Sequence, residues 1–389
     1  MFGNVVHAGG AGQARPAFPG KAALLAVLGG FLLAGGVHPL QAQRVLFDWT
    51  KNETAGNADW VVDHQAPLPS PQNPSGPDIW DGALSHWGYT FDTLNLPVRT
   101  LPPGHTLHYG LSDSLDLSNY DLLILPEPQN PLSSSEVSAV LTYLQNGGSM
   151  IFLADHNSSD RDGDGWDSPH IWNAAFESTL GVHCNVTGER YNSYSASITN
   201  VSTNPLDPII HGPYGDVAGV GYHAGTVMTL DLAVNPTLQG HVWVNNKPQA
   251  DTLVVVACGE YGSGRFCVIG DSSPADDGTG NPGDNLYDNW HELDNSILLL
   301  NMSFWAAPVL FQEEHPPVRT HGRLPVRWIQ PGKTLQLDRV RAYRVTNLLG
   351  QVVLQGTGRT LSLTSLPPGV YRLSSEGRVV TVLRVRTGR

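Results

Sequence analysis

The chain has 389 residues, a hydrophobic content of 40% and 42 glycines beside 29 prolines, which together predict a loop-rich globular protein with room for two domains. Charge is divided unevenly: residues 44–317 hold 7 Lys and Arg against 33 Asp and Glu, whereas residues 318–389 hold 13 against 2. The acidic part excludes nucleic acid as an expected partner and favours divalent cations. The change of sign predicts a domain boundary near residue 317.

The N-terminal segment has the pattern of a secretory signal peptide. Arg15 and Lys21 precede an apolar stretch at residues 22–36, and Ala42 stands before a polar residue. The stretch is shorter than the roughly 20 residues of a membrane-spanning helix, so an uncleaved anchor is the weaker alternative. Residues 1–43 are therefore interpreted as a signal peptide. The mature chain is expected to have no transmembrane segment and to be secreted or held at the cell surface.

Residues 44–315 alternate between strand and helix patterns. Strands are predicted at residues 44–49, 91–94, 120–126, 149–154, 251–258 and 264–270, and helices at 79–87, 134–145, 168–180 and 293–305. Strand, helix and strand joined by short connections make a βαβ unit, which requires a parallel pair. The fold class predicted here is α/β: a flavodoxin-like, mostly parallel sheet flanked by helices.

The C-terminal region has a different pattern. Pro316 and Pro317 open a predicted linker at residues 316–324, and residues 325–389 contain short alternating stretches separated by turn residues. Strands are expected at residues 334–337, 342–347, 351–355, 360–363, 369–374 and 378–386. Close spacing of this kind is typical of a small all-β sandwich.

Three cysteines are too few for a disulfide framework. Cys258 and Cys267 flank a glycine-rich turn between two predicted strands. They are interpreted either as a cross-strand disulfide or as two buried thiols, and the sequence leaves both alternatives open.

An acidic loop follows the strand at residues 149–154. Asp160, Asp162 and Asp164 stand on alternate residues, Gly163 and Gly165 allow tight turning, and Asp167 follows; a loop of this kind suits a hard cation such as Ca²⁺. The loop departs from the EF-hand because the twelfth position holds Ile171 and no helix precedes it. A structural calcium loop is favoured over a catalytic metal site and over a solvated acidic turn.

Ionisable residues end several predicted strands. Asp48, Glu127, Asp155, His156 and Asp271 follow apolar runs, and in a parallel sheet the carboxyl ends of strands line one crevice. A divalent ion there can polarise a substrate or activate water, with His156 or His291 as base or ligand. The predicted catalytic residues of a hydrolase-like protein are Asp48, Asp155, His156 and Asp271, although Asp271 can also cap the loop that follows it.

A second class of function remains open, a non-catalytic, calcium-stabilised surface module that binds carbohydrate or a protein partner. Trp80, Trp87, Trp166 and Trp172 can line a sugar-binding cleft, although Trp80 and Trp87 are also spaced as residues of a helix core.

Two stretches near the C-terminus, YRVTNLLGQ at residues 343–351 and LPPGVYR at residues 366–372, are followed by a valine-rich segment. This pattern resembles the type A sorting domain of the type IX secretion system. The resemblance implies the type IX secretion machinery as a partner, with export through the periplasm and outer membrane.

Residues 44–306 resemble the glutamine amidotransferase-like superfamily, which includes the trehalose-utilisation-like proteins. The resemblance is carried by the strands at residues 120–126 and 149–155, the intervening Gly147-Gly148, and GSGRFCVIGD at residues 262–271 before an apolar helix. An amidotransferase needs a cysteine nucleophile on a sharp turn after a strand. Glu127 stands at that place in this chain, so amidotransferase activity is not expected.

Overall fold

The computed structural model describes residues 44–284, 286–308, 326–329, 334–346, 352–362, 366, 369–375 and 378–385. The signal peptide predicted at residues 1–43 and the linker predicted at residues 316–324 lie outside these ranges. Within them, no helix combines the length and apolar character needed to cross a membrane.

The secondary structure of these residues comprises strands, helices and short turns of 3₁₀ helix. The strands are β1 Val45–Asp48, β2 Val98–Leu101, β3 Leu122–Pro126, β4 Ser149–Leu153, β5 Val182–Cys184, β6 Tyr194–Ile198, β7 His211–Gly212, β8 Gly215–Asp216, β9 Val220–Gly225, β10 Met228–Leu230, β11 Gln239–Trp243, β12 Thr252–Tyr261, β13 Gly264–Ile269, β14 Val326–Ile329, β15 Thr334–Thr346, β16 Val352–Ser362, β17 Gly369–Ser375 and β18 Arg378–Val385. The helices are α1 Ser85–Thr93, α2 Ser134–Gln145, α3 Ser168–Trp172, α4 Ser178–Leu180 and α5 Asn295–Ala306, with a π-helical turn at Asn173–Glu177 between α3 and α4. Turns of 3₁₀ helix lie at Pro77–Ile79, Leu117–Asn119, Ser273–Ala275 and Asn289–His291.

The central sheet has the strand order β2-β1-β3-β4-β13-β12-β10-β5, and β11 also pairs with β12. The first five of these strands run parallel, and β12, β10 and β5 extend the sheet antiparallel. This is the predicted flavodoxin-like α/β arrangement.

Successive residues of a strand face opposite sides of a sheet, and β1 shows the consequence for the core. Val45 and Phe47 belong to one apolar cluster with residues of α1 and α5, whereas Leu46 belongs to a second cluster with residues of α2 and α3. Helices therefore cover both faces of the sheet, which explains why β3 and β4 are buried along their whole length.

The helix predicted at residues 79–87 and the strand predicted at residues 91–94 are wrong. Helix α1 begins at Ser85 and continues through Thr93, and the next strand is β2. The helical spacing of Leu84 and Trp87 extends to Phe91, and all three side chains are buried. The helix ends before Asn95, which has the left-handed φ of 59° that favours a terminating position.

Strands β12 and β13 form the predicted hairpin, and their register places Cys258 directly opposite Cys267. The two residues form a disulfide with a Cα–Cα distance of 4.1 Å. This decides between the two alternatives left open for the cysteine pair. The bond lies inside the sheet, because both residues are buried.

The described segments of the C-terminal region form β-strands, as predicted, and these strands belong to one sheet. The five strands have the order β14-β18-β17-β15-β16. Strands β15 and β16 are long and each covers two of the predicted strands. Apolar side chains from these strands form a small separate core that includes Val345, Leu361 and Leu373.

Candidate functional site

Three adjacent parallel strands bring three carboxylates to one edge of the central sheet. Glu127 follows β3, Asp155 follows β4 after one residue, and Asp271 follows β13 after one residue. Glu127 and Asp271 are fully buried and Asp155 is 3% exposed. Glu127 has a φ of 46°, a left-handed value that is uncommon for a residue with a side chain. A sharp turn therefore places its carboxylate beside those of the neighbouring strands.

Arg161 is the cation of this group, and it comes from the acidic loop. Its Nε donates to Glu127 Oε1 at 2.6 Å, and its Nη2 donates to Asp155 Oδ2 at 2.9 Å. The remaining edge of the guanidinium donates from Nη1 to Asn57 Oδ1 at 2.8 Å. The backbone N–H of Arg161 donates to the side chain of Gln129 at 2.7 Å, which fixes the loop at this point. One guanidinium thus links two buried carboxylates with good charge-assisted geometry.

Asp271 is held on the other side of the group by backbone donors. The N–H groups of His223 and Ser273 donate to its two oxygens at 2.5 and 2.9 Å. Ser272, the next residue, donates from Oγ to Glu127 Oε2 at 2.5 Å. The Asp271–Ser272 pair therefore connects β13 to β3 across the intervening strand. The capping role considered for Asp271 is present together with this connection.

The electrostatics of the site follow from burial. Burial raises the pKa of Asp155 well above its ordinary value, and the negative charges of Glu127 and Asp271 raise it further, while Arg161 opposes both effects. Burial also raises the pKa of Asp271 to about 7, against the lowering effect of its backbone hydrogen bonds. Carboxyl groups with raised pKa values exchange protons at a higher pH than ordinary aspartates, which is a property that general acid–base chemistry uses.

His156 and His223 lie at the rim of the carboxylate group. His156 Nδ1 is 2.7 Å from the carbonyl oxygen of Asn157, and its Nε2 is 3.8 Å from Asp155 Oδ2, too far for a hydrogen bond. Since a carbonyl only accepts, His156 Nδ1 carries a proton in this arrangement. His223 Nε2 is 2.6 Å from Glu292 Oε2 on the more exposed side.

Asp48 belongs to a different group of charges. Its Oδ1 accepts from the backbone N–H and hydroxyl of Thr50, at 3.2 and 2.9 Å. Burial raises the pKa of Asp48 to about 6, and the nearby Lys51 opposes this effect. Lys51 itself is paired with Glu136. Within the described chain, Asp48 makes no hydrogen bond to Arg161, so the structure groups Asp155 with Asp271 but not with Asp48.

The acidic loop gathers three of its four predicted ligands. Carboxylate oxygens of Asp160, Asp162 and Asp164 lie within 4.8 Å of one another and are largely exposed. Asn130 Nδ2 donates to Asp162 Oδ2 at 2.8 Å and to Asp164 Oδ2 at 3.2 Å. A group of carboxylate oxygens at this spacing has the chemistry of a Ca²⁺ site. Asp167 lies apart from it and caps α3, accepting from the N–H of His170 at 3.0 Å.

The sugar-binding cleft considered for four tryptophans is wrong. Trp80, Trp87 and Trp172 belong to the hydrophobic clusters on the two faces of the sheet and are almost completely buried, because their large apolar surfaces fill the space between helices and strands. The core interpretation of Trp80 and Trp87 is the one that the structure shows. Trp166 alone among the four is half-buried.

No family model matches the chain. A curated match is Elongation factor 3 from Candida glabrata, 31% identical over 75 residues. The match covers 19% of this chain, which spans only 7% of the length of that protein.

Similar solved structures include the N-terminal domain of mmIFT52 (13% identity, TM-score 0.43, 68% of this chain and 97% of that one). A cytoplasmic protein of Salmonella typhimurium has 13% identity and a TM-score of 0.40 over 68% of this chain and 99% of its own. A ThuA-like protein of Bacteroides uniformis has 12% identity and a TM-score of 0.35 over 68% and 91%. Similarities of this size assign no activity, and the fold is established by the order and direction of the strands.

Proposed function

We propose that the chain is a hydrolase-like α/β protein whose active site is the edge formed by Glu127, Asp155 and Asp271. The observation that carries the proposal is an imbalance of charge: three carboxylates are buried together, and the guanidinium of Arg161 contacts two of them, Glu127 and Asp155. Burying carboxylates without enough cations destabilises the folded state, and such arrangements are concentrated at functional sites. The site sits at the carboxyl end of parallel strands, where open α/β sheets bind ligands.

The chemistry that fits this site is hydrolysis by two carboxyl groups in different protonation states. An ionised carboxylate takes a proton from the attacking water while the water oxygen bonds to the substrate. A protonated carboxyl gives its proton to the leaving group as the substrate bond breaks. Asp155 and Asp271 are the residues for these two roles, and His156 at the rim is placed to contact substrate. The substrate class is an extracellular polymer, or a small ester or amide.

Amidotransferase chemistry is not part of the proposal. Glu127 occupies the turn after β3 where such an enzyme carries its cysteine. Cys184, the one cysteine outside the disulfide, is buried, and burial raises the pKa of its thiol far above the range in which a thiolate forms.

Activity screening with a matched pair of variants tests the hydrolase proposal. Wild type, Asp155→Asn and Asp216→Asn are assayed on chromogenic esters, glycosides and peptide amides; Asp216 is exposed and pairs with His211. We expect a substrate class that wild type and Asp216→Asn hydrolyse equally and that Asp155→Asn hydrolyses at least about 100-fold more slowly. Absence of turnover in every class, or an Asp155→Asn variant as active as wild type, contradicts the proposal.

The acidic loop is proposed to bind Ca²⁺ through Asp160, Asp162 and Asp164. Support comes from the spacing of their oxygens and from the position of Arg161 between the first two, which places an ordered loop next to the active site. Thermal unfolding in chelator and in millimolar CaCl₂ tests this role. We expect Ca²⁺ to raise the midpoint of wild type and of Asp216→Asn but not of Asp162→Asn; at 100 times Kd the gain is about 2.7 kcal/mol. Equal midpoints in chelator and calcium contradict it.

Export through the periplasm and outer membrane is the proposed destination, with the type IX secretion machinery as partner. The predicted signal peptide, the likeness of the C-terminal sequence to a sorting domain and the Cys258–Cys267 disulfide all support it, since stable disulfides are typical of oxidising compartments. Fractionation of cells that express the full chain and a chain ending at residue 324 tests this. The shorter chain is expected to stay in the periplasm.

One observation favours the second candidate, a non-catalytic, calcium-stabilised surface module that binds carbohydrate or a protein partner. Arg161 and Ser272 already occupy both oxygens of Glu127, and the three carboxylates are almost inaccessible to solvent. If this candidate holds, the variant assays show no turnover while a carbohydrate or protein ligand still binds.

A further inference from the structure

Two histidines from distant parts of the chain meet on the surface of the α/β domain. His86 lies in α1 and His291 ends the 3₁₀ turn at Asn289–His291. Their ring centres are 5.0 Å apart and the ring planes are nearly perpendicular, at 76°. The backbone of His86 is fixed by Asp277, whose Oδ2 accepts its N–H at 2.7 Å. The carboxylate site described above contains neither histidine.

Each of these rings uses one nitrogen for a carboxylate. His86 Nε2 is 3.0 Å from Asp78 Oδ1, and His291 Nδ1 is 2.5 Å from Asp288 Oδ1. A carboxylate accepts, so in the neutral rings these nitrogens carry the protons. The lone pairs then lie on His86 Nδ1 and His291 Nε2, neither of which has a hydrogen-bond partner within the described ranges of the chain.

We propose that His86 and His291 form a two-histidine site for a divalent transition-metal ion such as Zn²⁺. The ion binds through His86 Nδ1 and His291 Nε2, and water completes its coordination. Asp78 and Asp288 hold the two rings from their far nitrogens. The site is separate from the proposed active site and does not depend on it.

The ring separation agrees with shared coordination. Two imidazoles that bind one tetrahedral zinc ion at about 2.0–2.1 Å place their ring centres roughly 5 Å apart. The observed separation of the two ring centres, 5.0 Å, agrees with that value. Metal-binding histidines characteristically donate their other ring N–H to a carboxylate, and both histidines already have that partner.

The electrostatic environment also suits a cation. The charged groups that face His86 are Asp78, Asp288 and His291. Imidazole nitrogens favour zinc, copper and nickel, whereas the all-oxygen acidic loop favours calcium. Millimolar Ca²⁺ can therefore occupy the acidic loop without competing for the histidine pair.

The test is titration of the untagged full chain with ZnSO₄ at pH 7.5 in 5 mM CaCl₂, followed by calorimetry, and with CoCl₂, followed by visible absorption. Wild type is compared with His86→Gln, His291→Gln and His211→Gln. His211 is the matched control, because it is as exposed as His291 and also pairs through Nδ1 with one aspartate. Circular dichroism checks that each variant is folded, and the exposed position of His291 makes His291→Gln the safer of the two site variants.

We expect one zinc ion per chain in wild type and in His211→Gln, and a loss of at least about 10-fold in affinity in either site variant. The visible bands of bound Co²⁺ should disappear in the same two variants. Absence of zinc binding to wild type, or zinc binding that survives in a folded His291→Gln variant, overturns the proposal.

Discussion

Two groups of three carboxylates lie next to Arg161, and they differ in their exposure to solvent. Glu127, Asp155 and Asp271 are buried at the ends of strands, and Asp155 and Asp271 have raised pKa values. Asp160, Asp162 and Asp164 lie largely exposed in the acidic loop, where backbone N–H groups and asparagine side chains donate to them.

The difference shows in which group the repulsion between carboxylates destabilises the folded state. In water, closely spaced carboxylates repel weakly and an arriving ion neutralises them at little cost. Away from water the same repulsion is large, and it must be relieved by a proton or by a fixed cation. Arg161 supplies that cation from the exposed acidic loop. The loop therefore helps to stabilise the buried carboxylates. The predictions below test this dependence, beginning with the largest expected effect.

Replacing Arg161 with glutamine should have the largest effect. The variant leaves Glu127 and Asp155 buried without their cation, and removing one partner of a buried ion pair costs about 3–5 kcal/mol. Urea denaturation at pH 8 measures the loss. At pH 5 the loss should be smaller, because the carboxyl groups can take up protons instead.

Arg190→Gln is the matched control for this change. Arg190 packs over the ring of Tyr191 at the surface, 5.2 Å from its centre, and its removal should cost less than about 1 kcal/mol. If the two arginine variants lose the same stability at pH 8, Arg161 does not neutralise the buried group and the contrast between the groups fails.

The pH dependence of stability should reflect the buried group. Asp155 and Asp271 have folded-state pKa values above the unfolded value of about 3.9, and that of Asp271 is about 7, so the folded state binds more protons than the unfolded state above about pH 4. Their contribution is therefore fully present below about pH 4 and is lost as the pH rises through the folded-state pKa values. Other buried carboxyl groups with raised pKa values act in the same direction, among them Asp48, Glu53, Asp59, Asp63, Asp276 and Asp277.

The variant Asp155→Asn isolates one member of the group. It should reduce the fall in unfolding free energy between pH 4 and 8, because the raised pKa of Asp155 no longer contributes to it. Urea denaturation at four pH values measures the fall, and Asp216→Asn should retain the wild-type curve. A variant curve that is as steep as the wild-type curve would show that Asp155 is ionised throughout this range.

The sheet edge could be predicted because it follows from local patterns. Apolar runs of strand length identified β3, β4 and β13, and parallel strands necessarily end at a common edge. Asp155 and Asp271 were therefore found from sequence. The failed prediction at residues 79–94 also has a local cause. Helical spacing and strand propensity compete over this stretch, and the packing of Phe91 on the core favours the helix.

The partners of these carboxylates could not be predicted, because they depend on contacts between distant segments. Arg161 stands among aspartates in the sequence, where it looks like a solvated loop residue, yet its side chain enters the buried group. In sequence, Asp48 and Asp155 both follow an apolar run of strand length. In the structure β3 separates β1 from β4, and Asp48 lies near Lys51 instead. The signal that was available for Glu127 was its position directly after a buried strand.

The smallest expected effect belongs to the exposed group. Asn130 donates to Asp162 and Asp164 and so reduces their repulsion when no cation is bound. Because solvent screens this repulsion, Asn130→Ala should lower the unfolding free energy by no more than about 0.5 kcal/mol in chelator. If the loop binds Ca²⁺, the cation takes over this role and the difference from wild type should vanish in millimolar calcium. Urea denaturation under both conditions measures this difference. If Asn130→Ala loses as much stability as Arg161→Gln, the exposed carboxylates are as costly to leave without a partner as the buried ones, and the contrast between the two groups fails.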